Sequence, residues 1–499
     1  MARTGIQLSR ILTSHMAVEE KQETGFVKDI RKQSVDFPGW YNDVVRKAQL
    51  ADNSPVAGTM VIRPYGYAIW ENIRDPLDEL IKQTGHENWY FPALIPLSFL
   101  QKEREHVEGF APEFQLVTKG GGKDLEEPLV LRPTSETMIA SVLRDYIQSY
   151  RDLPVLTNQW NNVFRWELKA RFFLRTREFL WQEGHTFHET ATEAEEEVAR
   201  MLECYRQIAE EWCAIPVLAG RKSETEKFAG AQYSTAIEGM MVDGKALQMA
   251  TSHYFGENFT RAYDLTFTGR SNERQFPHST SWGMSTRMVG AVVMAHGDDS
   301  GLQLPPRIAP VQVVIIPIFR SDAERHQIEA ALPGVLDELD DIRVKVDWRD
   351  ERPGFKFNEW ELKGVPLRIE IGPRDLAKGE AAVVRRLDRL KKAVPLGELA
   401  LTVPAMLEKI QEALFERARG FREKHTVRLT SLDAVVKFFD SEIGFAVTPW
   451  CGRSEDELTV KERTTATTRV ILPGSGRPEG PCAICGRPAV TDVAWGKAY

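Results

Sequence analysis

Cysteine is scarce in this chain: five among 499 residues, with Cys204 and Cys213 standing alone in a helical stretch. That usage excludes a disulfide scaffold and points to a reducing compartment. Long apolar runs are also missing, and none approaches the roughly 18 residues that a membrane-crossing helix needs. The opening stretch, Met1 to Glu23, lacks the apolar segment and small-residue cleavage site of a secretory signal. A cytoplasmic location without a membrane partner is therefore the expectation. Low complexity is confined to Gly120-Gly121-Gly122 and no repeat is evident, which excludes fibrous and solenoid architectures.

What is present is the balance of an ordinary globular protein, 42% hydrophobic and 27% charged, in a chain too long for one core. The net charge of −8 discourages a nucleic-acid partner until it is read locally. Residues 321–342 hold one arginine against seven acids, whereas residues 343–392 hold fourteen lysines or arginines against nine acids. Phosphates respond to the local field and not to the whole-chain sum. Patchy charge on a solvated surface is the competing reading.

Three regions separate by rhythm. Residues 1–304 open with a helical stretch carrying Trp40 and Tyr41, then mix short β-branched and aromatic runs with charged helices. That is the pattern of an α+β domain on an antiparallel sheet. Leu304-Pro305-Pro306 breaks the chain, and residues 305–410 alternate strand and helix as an α/β domain does. Residues 411–499 continue a basic helix to Lys424 and end in a small α/β tail holding Cys451, Cys482 and Cys485.

Chemistry concentrates between Asn162 and Phe179. Arg165 and Glu167, two apart, are expected on one face of a strand. Arg175, Thr176, Arg177 and Phe179 follow on a facing strand across a basic loop. A planar guanidinium is suited to clamp phosphate, a carboxylate accepts from an amino group, and a phenyl face stacks on a base. A salt-bridged sheet surface is the alternative.

Phe164-Arg165-Trp166-Glu167 and Arg175-Thr176-Arg177-Glu178-Phe179 resemble motif 2 of the class II aminoacyl-tRNA synthetases. Gly85 to Pro92 is similar to motif 1, and Trp282-Gly283-Met284-Ser285-Thr286-Arg287 to motif 3. Arg132-Pro133-Thr134-Ser135-Glu136, the run to Trp181-Gln182-Glu183-Gly184-His185, Thr251-Ser252-His253, Trp360 to Pro366 and Gly372 to Asp375 resemble the prolyl-tRNA synthetase family. The ending Trp495 to Tyr499 is similar to its archaeal and eukaryotic-like branch. Only about 95 residues part motif 2 from motif 3, too few for a large editing insertion.

The resemblance implies a class II catalytic domain, an α/β anticodon-binding domain and a C-terminal zinc-binding-like domain. It implies proline activation by ATP with Mg²⁺, transfer to tRNA(Pro), and a homodimer through the motif 1 region. Arg165 is the expected catalytic cation. Thr134, Glu136, Trp181, Glu183, His185 and His253 would join it around proline. Glu167, Arg175, Thr176, Phe179, Gln248, Thr251 and Arg287 would hold ATP. Arg352, Lys356, Lys363 and Arg368, near Phe355, Phe357 and Trp360, suit single-stranded bases that stack and pair their edges. Tyr499 is expected to reach toward the active site.

In the tail, Cys482-Ala483-Ile484-Cys485 forms a thiol knuckle, and Cys451 begins a second turn. Family relatives often carry a further cysteine where this chain has Asp456. Two outcomes stay open: a structural Zn²⁺ held by Cys451, Asp456, Cys482 and Cys485, or a tail that has lost the metal. A non-catalytic tRNA binder and a transferase acting on another acceptor are rival functions. The complete set of arginines and the full second domain speak against them.

Overall fold

The computed structural model describes residues 30–106, 114–474, 478 and 480–499. The N-terminal stretch read for a targeting signal lies outside the described residues.

One large sheet organises the molecule. Among the described residues it has eleven strands, in the spatial order Thr426–Arg428, Phe445–Trp450, Thr491–Gly496, Thr467–Ile471, Val217–Arg221, Tyr233–Met240, Ala246–Gly256, His278–Ser285, Glu178–His188, Val155–Phe164 and Glu87–Asn88. Pairing is antiparallel except at its two edges, where Glu87–Asn88 and Thr426–Arg428 run parallel to their neighbours. The expected α+β layout holds, and the tail does not build a sheet of its own. It joins the large sheet through Ile471 opposite Arg221.

Helices close the face away from the cleft. Ala191–Gln207 begins with a reciprocal cap, Thr190 Oγ1 accepting from Glu193 N and Glu193 Oε2 accepting from Thr190 N. Arg287–His296 is apolar around its circumference and buried beyond its first residue, so only Arg287 keeps a polar head near solvent. Together with Phe37–Lys47 and Pro64–Gln83 these helices pack a core around Trp40, Ile73, Tyr205, Trp282 and Met288. Trp40 and Tyr41 are both buried.

The second domain is a five-stranded mixed sheet ordered Val344–Val346, Val313–Pro317, Leu367–Ile371, Glu380–Arg385 and Lys391–Pro395. The first three strands are parallel and the last two antiparallel. Helix Leu399–Lys424 then runs unbroken across position 410, so the division assigned there falls inside a helix. Its Pro404 sits in the second turn and forgoes the hydrogen bond that would run to the Ala400 carbonyl, yet the helix continues through it.

Candidate active site

Strand register builds the cleft. Val155–Phe164 and Glu178–His188 pair antiparallel with Asn161 opposite Trp181, Gln159 opposite Glu183 and Thr157 opposite His185. Side chains two apart share a face, so Trp181, Glu183 and His185 point together. His185 lies opposite Ser281, Ser281 opposite His253, and His253 opposite Ser234. One polar row therefore crosses four strands. Beside it Thr251 lies opposite Gly283, which lies opposite Glu183. A side chain at Gly283 would meet the Trp181 ring at 3.1 Å, so glycine leaves that space open.

This row floors a cavity of about 250 Å³. Eleven of the residues singled out from sequence line it: Thr134, Glu136, Arg165, Phe179, Trp181, Glu183, His185, Gln248, Thr251, His253 and Arg287. Arg165 Nε donates to the Pro133 carbonyl at 3.1 Å, and its guanidinium lies 5.4 Å from the Phe179 ring and 5.5 Å from that of Trp181. Glu183 accepts from Gln159 Nε2 at 2.8 Å, from Asn161 Nδ2 at 2.6 Å and from the Ser135 hydroxyl. His185 Nε2 sits 3.1 Å from its other oxygen.

Burial alone would raise the Glu183 pKa, yet the hydrogen bond and charge of His185 with the other donors hold it below the usual carboxylate range. Burial likewise works against a charged His185, and Glu183 and Glu136 overcome it, raising the imidazole pKa. His253 goes the other way: burial, then His185 and Arg165, push it down to about 3, so it is neutral. Its Nδ1 lies 2.7 Å from Ser234 Oγ. Thr134 donates to Glu136, and Ser281 Oγ lies 3.3 Å from the other Glu136 oxygen. The inner end of the cavity is thus rich in carboxylate.

A second cavity, of about 580 Å³, adjoins the first at Arg287 and has the opposite character. Lys169, Arg171, Arg175 and Lys245 line it with Glu167 and Tyr499. Arg287 Nη1 donates to the Gln248 carbonyl at 3.1 Å and its Nε to the Leu174 carbonyl at 3.3 Å. Burial, then the neighbouring Arg165 and Arg175, bring its pKa down to about 10, and it stays a cation at neutral pH.

Two expectations need correcting here. The strand ends at Phe164, so Arg165 and Glu167 do not share a strand face; Glu167 and Arg175 both belong to the second cavity. The loop turns because Arg177 stacks on Trp166 at 3.7 Å and its Nε donates to the Glu167 carbonyl at 3.2 Å. Thr176 lines neither cavity: it is buried, and its hydroxyl donates to the Glu178 carbonyl at 2.7 Å. Sequence reasoning missed Ser281, Ser234 and the segment 222–228, which supplies Lys222, Glu226, Lys227 and Phe228 to the first cavity. Only register with the Thr251-Ser252-His253 strand could have pointed to the two serines.

In the second domain the four basic residues separate. Arg352 is exposed. Arg368 stacks on Phe357 at 4.1 Å and lines a groove with Glu361, Arg385 and Lys391. Lys363 donates to Glu359 at 2.8 Å. Lys356 is buried, its ammonium donating to the Asp347 carbonyl at 3.0 Å, so it faces the domain interior and not a ligand.

In the tail, donor atoms of Cys451, Asp456, Cys482 and Cys485 all lie within 4.8 Å of one another. The three thiols converge on one oxygen, Asp456 Oδ2, at 3.1, 3.2 and 3.1 Å. Three sulfurs and one carboxylate gathered this closely suit a tetrahedral zinc ion. Burial and the Asp456 contact push the Cys451 thiol up to about 12.

Comparison with known proteins agrees with this geometry. A family model described as tRNA synthetase class II core domain (G, H, P, S and T) matches residues 116–296. An anticodon-binding domain matches 312–406, and a prolyl-tRNA synthetase C-terminal domain matches 432–499. The proline–tRNA ligase of Ruminiclostridium cellulolyticum is 51% identical, over 95% of this chain and 98% of its own. That of Symbiobacterium thermophilum is 51% identical, over 96% and 100%. A crystal structure of prolyl-tRNA synthetase from Cryptosporidium parvum, complexed with halofuginone and AMPPNP, superposes with a TM-score of 0.90 at 38% identity, covering 95% of this chain and 99% of that one.

Proposed function

The chain belongs to the proline–tRNA ligase family, and on that premise we propose that it activates L-proline with ATP to prolyl-adenylate and transfers the prolyl group to the 3′ end of tRNA(Pro). The observation that carries the reading is the adjacency of two unlike cavities: a carboxylate-rich one around Glu136 and Glu183, and a cationic one around Arg171 and Arg175, joined at Arg287. A small ammonium-bearing acid fits the first, and a polyphosphate fits the second.

Activation needs the prolyl carboxylate to attack the α-phosphorus in line, with pyrophosphate leaving. The residues orient the reactants and neutralise charge. Arg165 is the catalytic cation, meeting the carboxylate and the α-phosphate where charge develops. Glu136 and Thr134 receive the secondary ammonium, while Trp181, His185 and His253 bound the ring. Neutral His253 adds a polar edge without repelling the ammonium. Glu183 holds His185 in place.

Arg175 and Arg287 grip the outer phosphates, Phe179 stacks on adenine, and Gln248 and Thr251 reach the ribose. Mg²⁺ carried on the phosphates would withdraw charge from them; Glu167, an oxygen donor beside that cavity, is the residue suited to its hydration shell. A structural Zn²⁺ at Cys451, Asp456, Cys482 and Cys485 belongs to the same reading.

For tRNA, Arg352 and Arg368 with Phe357 form the base-contacting face of the second domain. A homodimer through Gly85 to Pro92 is supported by Tyr90, an aromatic residue 75% exposed. No helix among the described residues is long and apolar enough to cross a membrane, and a cytoplasmic location completes the proposal. Pyrophosphate exchange with each of the amino acids in turn tests it. Exchange dependent on proline is expected, and exchange dependent on another amino acid, or none, defeats it.

A further inference from the structure

The tail is tied through Glu457 to the segment that walls the substrate cavity. This buried glutamate stands in the first turn of helix Ser454–Thr464. Its Oε2 accepts from Ser223 Oγ at 2.7 Å, from Thr468 Oγ1 at 3.0 Å and from the Thr225 hydroxyl. Ser223 and Thr225 do not line the 250 Å³ cavity, but they flank and precede the residues that do: Lys222, Glu226, Lys227 and Phe228.

A second tie runs beside the first. Lys222 Nζ donates to Glu238 Oε1 at 3.0 Å and to the Arg469 carbonyl at 2.9 Å, and Arg469 Nη2 donates to the same Glu238 oxygen at 2.9 Å. All three side chains are buried. Two separate sets of bonds thus fasten the start of the segment to tail residues 457 to 469.

The rest of the segment takes its shape from there. Glu226 N and Lys227 N donate to the Ser223 carbonyl at 3.2 and 2.9 Å. Phe228 N donates to Ser234 Oγ at 2.9 Å, and the Phe228 ring lies 5.0 Å from that of His253. A shift at Ser223 therefore moves the wall of the inner cavity. Phe228 meets the His253 side of that cavity, whereas the cationic cavity lined by Lys169, Arg171, Arg175 and Lys245 contains no residue of the segment.

We propose that Glu457 is a positioning residue for the amino-acid subsite: the C-terminal tail sets the wall against which the proline ring packs. The proposal rests on the reading of the inner cavity as the proline site. Its reach is specific, because a pocket that selects a compact ring by shape loses affinity for that ring when a wall moves by a fraction of an ångström. Three hydroxyls that lose their common acceptor no longer have one arrangement to adopt.

The experiment titrates proline and ATP separately in pyrophosphate exchange by the full-length chain. The proteins are the parent, Glu457→Ala, Glu457→Gln, and the loop-side double variant Ser223→Ala with Thr225→Val. Glu457→Ala and the loop-side variant are each expected to raise the proline KM about tenfold, with the ATP KM unchanged. Combining them should be no worse than either alone, since both remove the same unit. Glu457→Gln keeps an oxygen acceptor at the same point and should recover most of the loss. Exchange by the parent reports on the cavity assignment itself, so failure there is separable from failure of this proposal. A proline KM equal to the parent's in both the tail-side and loop-side variants overturns it, as does a parallel rise in both KM values.

Discussion

Arg175 donates through Nη2 to the backbone carbonyl of Tyr499 at 3.1 Å, joining the motif 2 loop to a residue 324 positions further along the chain. Tyr499 is itself held: its hydroxyl donates to Asp243 at 2.7 Å, its amide to the Ala246 carbonyl at 3.2 Å, and the Lys245 ammonium lies 5.0 Å over its ring. The tail thereby fixes one of the cations that line the larger cavity.

Tyr499→Ala should for that reason weaken ATP more than proline. Loosening the loop that the Arg175 bond restrains is worth about 1 kcal/mol, or roughly a fivefold rise in the ATP KM. Melting temperature should change little, because the side chain is only partly buried. Exchange kinetics with ATP varied, alongside calorimetry, check this; an unaltered ATP KM defeats it.

Arg165→Ala should abolish adenylate formation while the chain still folds. Arg165 contacts the protein through one hydrogen bond and two ring faces and otherwise opens to the cavity. One lost charge-assisted clamp costs about 3 kcal/mol or more of transition-state binding. Proline-dependent exchange within about tenfold of the parent, or a collapse in melting temperature, would sink the assignment of Arg165.

How far the sequence could be read depended on whether a residue's place was set locally. Trp181, Glu183 and His185 were legible because alternation along one strand decides their face. Lys356 was misread because a count of basic residues ignores helix phase: Lys356 and Trp360, four apart, both turn inward to Asp347, the lysine to its carbonyl and the indole to its carboxylate. Thr176 looked like a ligand contact, but its hydroxyl closes on the Glu178 carbonyl at the start of the strand that follows. The division at 410 falls inside helix Leu399–Lys424, where the residues next to that point include no glycine or proline to mark a domain end. Nothing local in the 222–228 segment announces a cavity wall; its position comes from Glu238 on the strand that follows and from Glu457 and Arg469, both distant in sequence.

The thiol cluster makes a metal prediction. Protein purified without chelator should carry about one zinc per chain. Asp456→Ala should lose most of it, and Asp456→Cys should hold it more tightly, since a fourth thiolate is the softer ligand. Elemental analysis of the three proteins decides. Zinc-free parent protein that is folded and fully active would rule the site out.

Acid should destabilise the fold through three histidines. Burial depresses His188 to about 4, against the opposing pull of Glu197 and Glu193, and depresses His253 and His296 to about 3. His296 shows why: its Nε2 donates to the Cys213 carbonyl at 2.8 Å, while its buried Nδ1 has no partner to accept a second proton's hydrogen bond. Unfolded histidine takes its proton near pH 6.5. Between that value and the depressed ones the unfolded chain binds more protons than the native one, so stability falls as pH falls. The slope approaches about 1.4 kcal/mol per pH unit for each such histidine. His185 opposes the trend: Glu183 and Glu136 outweigh its burial and raise its pKa, so its contribution is full below pH 6.5 and fades as pH rises. One group against three leaves the net sign unchanged. The melting temperature should therefore drop between pH 7 and pH 5, and His296→Gln, which retains a donor for Cys213, should shallow that drop. Parallel pH profiles for the parent and the variant would show that His296 takes no part in it.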